Sequence, residues 1–244
     1  DFQGFSLKWY PKLFDNPFLI DAFNTSLMVA LISAILASTF GTMAAIGLNN
    51  LKGKLRVFYD SLVYISVMIP GIVIGIATLI ALVTLFKFLN PLLANIWPTS
   101  FGKPHLLNLG YVSLIGAHTL FTMSLSILIV RSRLNGMDRN LIEASNDLYG
   151  TPVKTFLKIT LPQLFPAILS AFLLSFTFSF DDFIIAFFVA GSETTLPVYV
   201  FSSIRRGVTP EINAIATLIL TFTILLASHL LMKYKNYSNK GSKK

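Results

Sequence analysis

The chain has 244 residues, of which 54% are apolar and only 12% charged, with a mean hydropathy of +0.71. That balance excludes an ordinary soluble domain, because long uncharged runs rich in its 22 Phe residues cannot be hidden inside one core of this length. The formal charge of +8 leaves nucleic acid and acidic lipid as partners until the basic residues are placed, and the lack of cysteine excludes disulfides, thiolate metal sites and cysteine nucleophiles.

Residues 1–21 carry no basic stretch followed by an apolar one, so no leader peptide is read there, and Trp9 and Tyr10 suit a headgroup layer. Five charge-poor stretches then predict spanning helices, each near the ~20 apolar residues that a bilayer core requires. They are residues 22–48, 61–86, 109–130, 164–190 and 212–232. The first three carry small residues that let helix backbones approach closely: Ala34, Ala37, Ser38 and Gly41; Gly71 and Gly75; Gly116 and Ala117. Pro70 and Pro166 read as tolerated kinks. Residues 90–104, with Pro91, Pro98, Gly102 and Pro104, predict an outer loop. Trp97, Tyr111, Tyr199 and Tyr234 fall near span ends as interfacial anchors. His105, His118 and His229 lack metal-ligand spacing and read as polar residues near helix ends, so no metal site is expected.

Basic residues set the orientation. Lys52, Lys54 and Arg56, then Arg131, Arg133, Arg139, Lys154 and Lys158, then Lys233, Lys235, Lys240, Lys243 and Lys244 account for 13 of the 19 Lys and Arg. The other 6, Lys8, Lys12, Lys87, Lys103, Arg205 and Arg206, fall on the opposite side. The 13-rich side is therefore expected in the cytoplasm. Residues 1–21 are then an external segment, 22–232 a transmembrane domain, and 233–244 a basic cytoplasmic tail. The positive charge becomes a topology signal, and nucleic acid drops away as a partner. An external start without a leader predicts a sixth spanning helix ahead of Asp1.

The connection over residues 131–163 is long for neighbours in a helical bundle. It predicts a short helix over 141–148, a break at Gly150, and a second short helix opened by Thr151 with Pro152 in its first turn. Val153, Phe156, Leu157 and Ile159 give the second helix an apolar stripe, and Leu161-Pro162 is expected to stop it before the next span. Two such helices under the membrane would make a rigid knob for another protein to grip.

Glu143-Ala144-Ser145, Gly150 and Ile159-Thr160-Leu161-Pro162 resemble the EAA motif of permease subunits of type I ABC importers. Ser145 stands where the motif has its second Ala, and Tyr149 stands where it has Gly, with Gly150 one residue later. The resemblance implies that Glu143, Ala144, Ser145, Asp147, Tyr149, Gly150, Ile159, Leu161 and Pro162 form a coupling loop for an ATPase. The opening QGFSLKWYPKLFDN, residues 178–191 and residues 196–217 further resemble the PotC-type permeases of spermidine/putrescine importers. That likeness implies an all-α polytopic bundle of the type I ABC importer permease fold, with six spanning helices, in the inner (cytoplasmic) membrane. It also implies a second homologous permease, two copies of a cytoplasmic ABC ATPase that bind ATP and Mg, and an external polyamine-binding protein.

Asp181 and Asp182 lie inside an apolar span, where carboxylates must face protein, water or a cation. Adjacent helical residues point about 100° apart, so only one of them can face a central pathway directly. Two readings stay open: one carboxylate lines the route of a cation, or both fix helix packing. Phe178 and Phe180 would add cation–π contacts of about 0.5–2 kcal/mol each, or serve as packing. Glu193, Arg205, Arg206 and Glu211 are expected on the outer side, as contacts to the delivering protein or as solvated loop. The chain has neither a phosphate-binding GxxxxGK[ST] loop nor a nucleophile–base pair, so it reads as a non-catalytic subunit without a cofactor of its own. The alternatives are an importer permease for another small solute, or an ATP-independent secondary transporter using the acids as an ion site.

Overall fold

The computed structural model describes residues 7–97, 106–138, 140–207, 210–221, 224–225 and 228. Among these the regular structure is entirely helical, and the chain divides into two compact units, residues 23–198 and residues 1–22 with 199–244.

The larger unit is organised around α5 (Tyr111–Asn135), which packs most extensively on α8 (Leu161–Asp181) and also touches α3 (Gly53–Met68), α4 (Gly71–Ile96) and α9 (Ile184–Val189). The buried face of α5 is polar as well as apolar, holding Ser113, His118, Thr119, Thr122, Ser124 and Ser126 beside Leu114, Ala117, Ile127 and Val130, while Val112 and Leu120 are exposed. This inversion suits a bilayer, where apolar contact gives no drive for helices to associate and small or hydroxyl side chains supply close approach and hydrogen bonds. Ser33 Oγ of α2 (Pro17–Asn49) donates to Ile115 O at 3.2 Å, Ser113 Oγ to Val189 O at 2.7 Å, and Ser126 and Ser175 share a hydroxyl bond of 3.0 Å. A Cβ on Gly41 would stand 2.5 Å from Ser126 Cβ, so the α2–α5 crossing requires glycine.

Four helical runs are long and apolar enough to cross a membrane: Pro17–Asn49, Gly71–Ile96, Tyr111–Asn135 and Pro152–Asp181. Several predicted boundaries change. The second span is broken rather than kinked, because Ile69 precedes proline and takes an extended ψ of 132° between α3 and α4. Helix α4 runs through Pro91 to Ile96, shortening the predicted outer loop, and Asn90 bonds both the N–H and the C=O of Leu107. Helix α5 carries Arg131 and Arg133 itself, so the connecting loop begins at Gly136. The fourth span ends at Asp181, and α9 follows as a separate short helix.

In the smaller unit, α1 (Trp9–Phe14) buries Leu13, and the ammonium groups of Lys8 and Lys12 lie over the Trp9 ring at 5.3 and 4.8 Å. Asn16 accepts from the Leu19 N–H at 3.3 Å, and its Nδ2 donates to the Tyr199 hydroxyl at 3.0 Å. Helix α10 (Leu196–Arg206) ends in the two arginines, and α11 (Pro210–Thr221) begins the fifth predicted span with Ile212, Ala214 and Ile215 buried. Most of that span beyond Thr221, the tail over 233–244 including Tyr234, residues 1–6, residues 98–105, Arg139, His105 and His229 lie outside the described residues.

Candidate functional site

The predicted knob is an elbow of two short helices. Asp138 Oδ1 accepts from the Asn140 N–H at 2.9 Å at the start of α6 (Asn140–Asp147). At its end, Gly150 N–H bonds back to Ser145 O at 2.8 Å around Tyr149, whose φ is 57°. The left-handed residue therefore occupies the motif's glycine position, filled here by tyrosine, while Gly150 answers a different demand. A Cβ on Gly150 would overlap Ser145 Oγ and stand 2.7 Å from Ser145 O and 3.1 Å from Thr155 Oγ1. Thr151 then caps α7 (Pro152–Thr155), accepting from Lys154 N–H at 3.4 Å with Pro152 at the first helical position, as its sequence predicts. A 2.8 Å bond between the Ser145 and Thr155 hydroxyls closes the angle between α6 and α7.

Leu161-Pro162 does not stop the second helix. A π-helical turn over Phe156–Thr160 joins α7 to α8, with the Leu161 N–H reaching back to Phe156 O. The wider turn lets a proline, which lacks the N–H and crowds the carbonyl four residues back, enter without ending the helix. Glu143, Ala144, Asp147 and Tyr149 face outward, Ser145 and Gly150 form the inner bend, Ile159 and Leu161 are half-buried, and Pro162 is exposed. Leu148, Tyr149, Val153 and Leu157 are 81%, 96%, 67% and 54% exposed, an apolar surface on an element too polar to lie in lipid.

Two contacts brace the helices from which the elbow hangs. Arg133 Nε donates to Gln163 O at 3.2 Å, joining the end of α5 to the start of α8. Arg131 grips Asp60 of α3 in a two-pronged pair, Nη2 to Oδ2 at 2.9 Å and Nη1 to Oδ1, with Arg56 Nε 3.8 Å from the same carboxylate.

The adjacent carboxylates part at the end of α8. Asp181 is exposed on the helix, whereas Asp182 leaves it with ψ 117° and turns inward. Its Oδ2 accepts from the Ala186 N–H at 3.0 Å, capping α9, and lies 3.5 Å from Nε2 of the fully buried His118. His118 Nδ1 bonds Ser179 Oγ at 2.7 Å. His118 is thus not near a helix end but two turns inside α5. Phe180 meets Phe23 edge-on at 6.0 Å and stacks near Phe176, while Phe178 is 45% exposed with its edge toward Phe121 at 6.2 Å.

The sequence reading passed over Ser170 and Thr177. Both are exposed and lie, with Asp181, on the face of α8 opposite the buried Ala171, Ser175 and Ser179. Each hydroxyl donates to its own helix at 2.9 Å, Ser170 to Pro166 O and Thr177 to Leu173 O, leaving lone pairs for an outside donor. Counting 3.6-residue turns back from Asp181 would have found them. Glu193 is half-buried in a turn where its N–H bonds Ala190 O at 3.0 Å. In the other unit, Arg205 and Arg206 are exposed, Arg206 Nε donates to Ser202 O at 3.3 Å, and Glu211 is half-buried.

Residues 37–241 match the family model described as binding-protein-dependent transport system inner membrane component. The chain is 33% identical to the spermidine/putrescine transport system permease protein PotC of Escherichia coli (strain K12), over 100% of this chain and 86% of that protein. It is 38% identical to the putrescine transport system permease protein PotI of the same strain, over 89% of this chain and 73% of that protein. Its fold is similar to that of a chain in the crystal structure of a bacterial ABC transporter involved in importing the acidic polysaccharide alginate, with a TM-score of 0.69 and 15% identity over 93% of this chain and 84% of that one.

Proposed function

Because this chain belongs to the inner membrane component family of binding-protein-dependent transport systems, we propose that it is the polyamine-translocating permease subunit of an ATP-driven importer, working with a second permease, two ATPase copies and an external binding protein. The permease itself holds no cofactor in this reading; ATP and Mg belong to the partner ATPase.

Asp181 carries the polyamine assignment. An exposed carboxylate near the end of a spanning helix needs a cation, water or another subunit beside it, and a polyamine supplies ammonium groups. Thr177 and Ser170 continue the same face with free acceptor lone pairs, so a cation leaving Asp181 meets weaker acceptors along the helix. Weak successive sites suit passage, since a substrate held too tightly does not leave. Phe178, one turn before Asp181 on the adjoining face, adds an aromatic surface, while Phe180 packs on α2.

The elbow is the natural contact for the ATPase. Its exposed Leu148, Tyr149, Val153 and Leu157 make an apolar knob beside Glu143, the Ser145–Thr155 bond stiffens it, and the Arg133–Gln163 bond holds together the helices that flank it. In the orientation set by the basic residues, the elbow and the chain's C-terminus lie in the cytoplasm, with Glu193, Arg205, Arg206 and Glu211 outside toward the binding protein. The segment boundaries at residues 21–22 and 232–233 belong to the same reading.

Uptake of radiolabelled spermidine and putrescine into proteoliposomes holding the complete complex tests this function. Asp181→Asn is expected to lower uptake about tenfold or more, the loss of a charge-assisted hydrogen bond. Full uptake by that variant would remove the path assignment, and polyamine-insensitive ATP hydrolysis by the wild-type complex would remove the substrate.

A further inference from the structure

We propose that His118 is a positioning residue for transport: from α5 it holds Asp182 at the break between α8 and α9, and so sets where Asp181 points. This rests on Asp181 being the path carboxylate.

The geometry is a relay across three helices. His118 is 1% exposed and Asp182 half-buried, both inside the larger unit. Nδ1 bonds Ser179 Oγ at 2.7 Å, and the buried Nε2, which makes no hydrogen bond, stands 3.5 Å from Asp182 Oδ2, its charged neighbour. When the serine hydroxyl donates to Nδ1, the ring proton sits on Nε2, on the side of the ring nearer the carboxylate, and a small movement of either group would bring them into a hydrogen bond; the bond made by one ring nitrogen selects the state of the other. The same Oδ2 accepts the Ala186 N–H at 3.0 Å, one of the donors left open at the start of α9.

The consequence for Asp181 follows from chain geometry. Asp182 leaves the helix with ψ 117°, so α8 ends at Asp181. With Asp182 drawn toward α5 and Ser179 buried two residues earlier, Asp181 remains on the outward face, together with Thr177. Were Asp182 released, the last turn of α8, beyond the buried Ser179, could loosen and the Asp181 carboxylate turn with it. The Nδ1 bond to Ser179 ties α5 to α8, and Asp182 is the charged group that the other ring nitrogen faces. An apolar residue of similar volume would fill the space, but it would leave Ser179 without its imidazole partner and Asp182 with the Ala186 N–H and no imidazole beside it.

The test is a double-mutant cycle in the reconstituted complex, read as spermidine moved per ATP hydrolysed. That ratio does not fall merely because less complex is recovered. His118→Leu and Asp181→Asn are each expected to lower it about fivefold or more, and the double variant no further than Asp181→Asn alone, as for two residues acting through one contact. His118→Gln, which keeps an N–H donor near the Nε2 position, is expected to restore most of the ratio. If His118→Leu yields no complex, Asp182→Asn takes its place in the cycle. A ratio unchanged in His118→Leu, or losses that multiply in the double variant, would overturn the positioning role and leave the path assignment standing. A ratio unchanged in Asp181→Asn would overturn both.

Discussion

Substituting Gly150 by alanine tests whether the elbow is a rigid lever. Gly150 is not left-handed, so its backbone suits alanine and only space opposes the change. The added methyl would overlap Ser145 Oγ, which rotation could relieve at the cost of the 2.8 Å bond to Thr155. It would also stand 2.7 Å from Ser145 O, which can retreat only by weakening the 2.8 Å bond from Gly150 N–H that closes α6. Two hydrogen bonds at about 1 kcal/mol each, with about 1 kcal/mol of remaining crowding, put the local cost near 3 kcal/mol. An elbow that bends by this much is expected to lose about tenfold or more of the ATPase stimulation given by spermidine-loaded binding protein, since about 1.4 kcal/mol is a factor of ten. Adding Ser145→Ala removes the hydroxyl overlap but not the carbonyl one, so the double variant is expected to recover only in part. Full stimulation in Gly150→Ala, or complete recovery in the double variant, would refute a stiff elbow held by this bend.

Glu143→Ala is expected to insert normally, and to reduce stimulated hydrolysis about tenfold through one lost charge-assisted contact, measured as ATPase activity in proteoliposomes. Tyr149→Gly removes the cost of a left-handed tyrosine, about 1 kcal/mol, and should raise the thermal unfolding midpoint of the purified complex. Arg131→Met leaves Asp60 with only Arg56 at 3.8 Å; the pair is partly exposed, so the cost is about 1–3 kcal/mol. The midpoint should fall in that variant and recover when Asp60→Leu is added.

Much of the bundle is legible from charge-free length, since every described run long enough to cross a membrane overlaps a predicted span. The elbow's second helix is legible too, because Thr151 and Pro152 act through local geometry that residue type determines. What is not legible depends on partners distant in sequence or on crowding. Ile69-Pro70 reads equally as a kink or a break, and the difference lies in the packing of α4 against α9, where a Cβ on Gly75 would stand 2.7 Å from Phe188. Tyr149 shows no sign of a positive φ in its side chain, and the glycine beside it draws attention to the wrong position. The carboxylate pair stays ambiguous because its resolution needs His118, 64 residues earlier and on another helix. Composition places His118 among hydroxyl residues, yet cannot say that this polar face of α5 is the buried one.

The continuity of the chain from the elbow to Asp181 links these features mechanically. The helical run Pro152–Asp181 has 30 residues, about 45 Å at 1.5 Å each, longer than the ~30 Å hydrocarbon core. Pro162 and Pro166 would be its weak points, but the π turn accommodates the first, and buried Leu164, Ala167, Ala171, Ser175 and Ser179 hold the rod against α5 on one continuous face. A rod clamped along its length cannot move at one end alone. In the proposed mechanism, a push on the elbow therefore displaces α8, the Arg133–Gln163 tie and the Asp181 face together. The break at Asp182 is where this rigid body ends, so the His118 contact sits at the joint between the driven rod and α9.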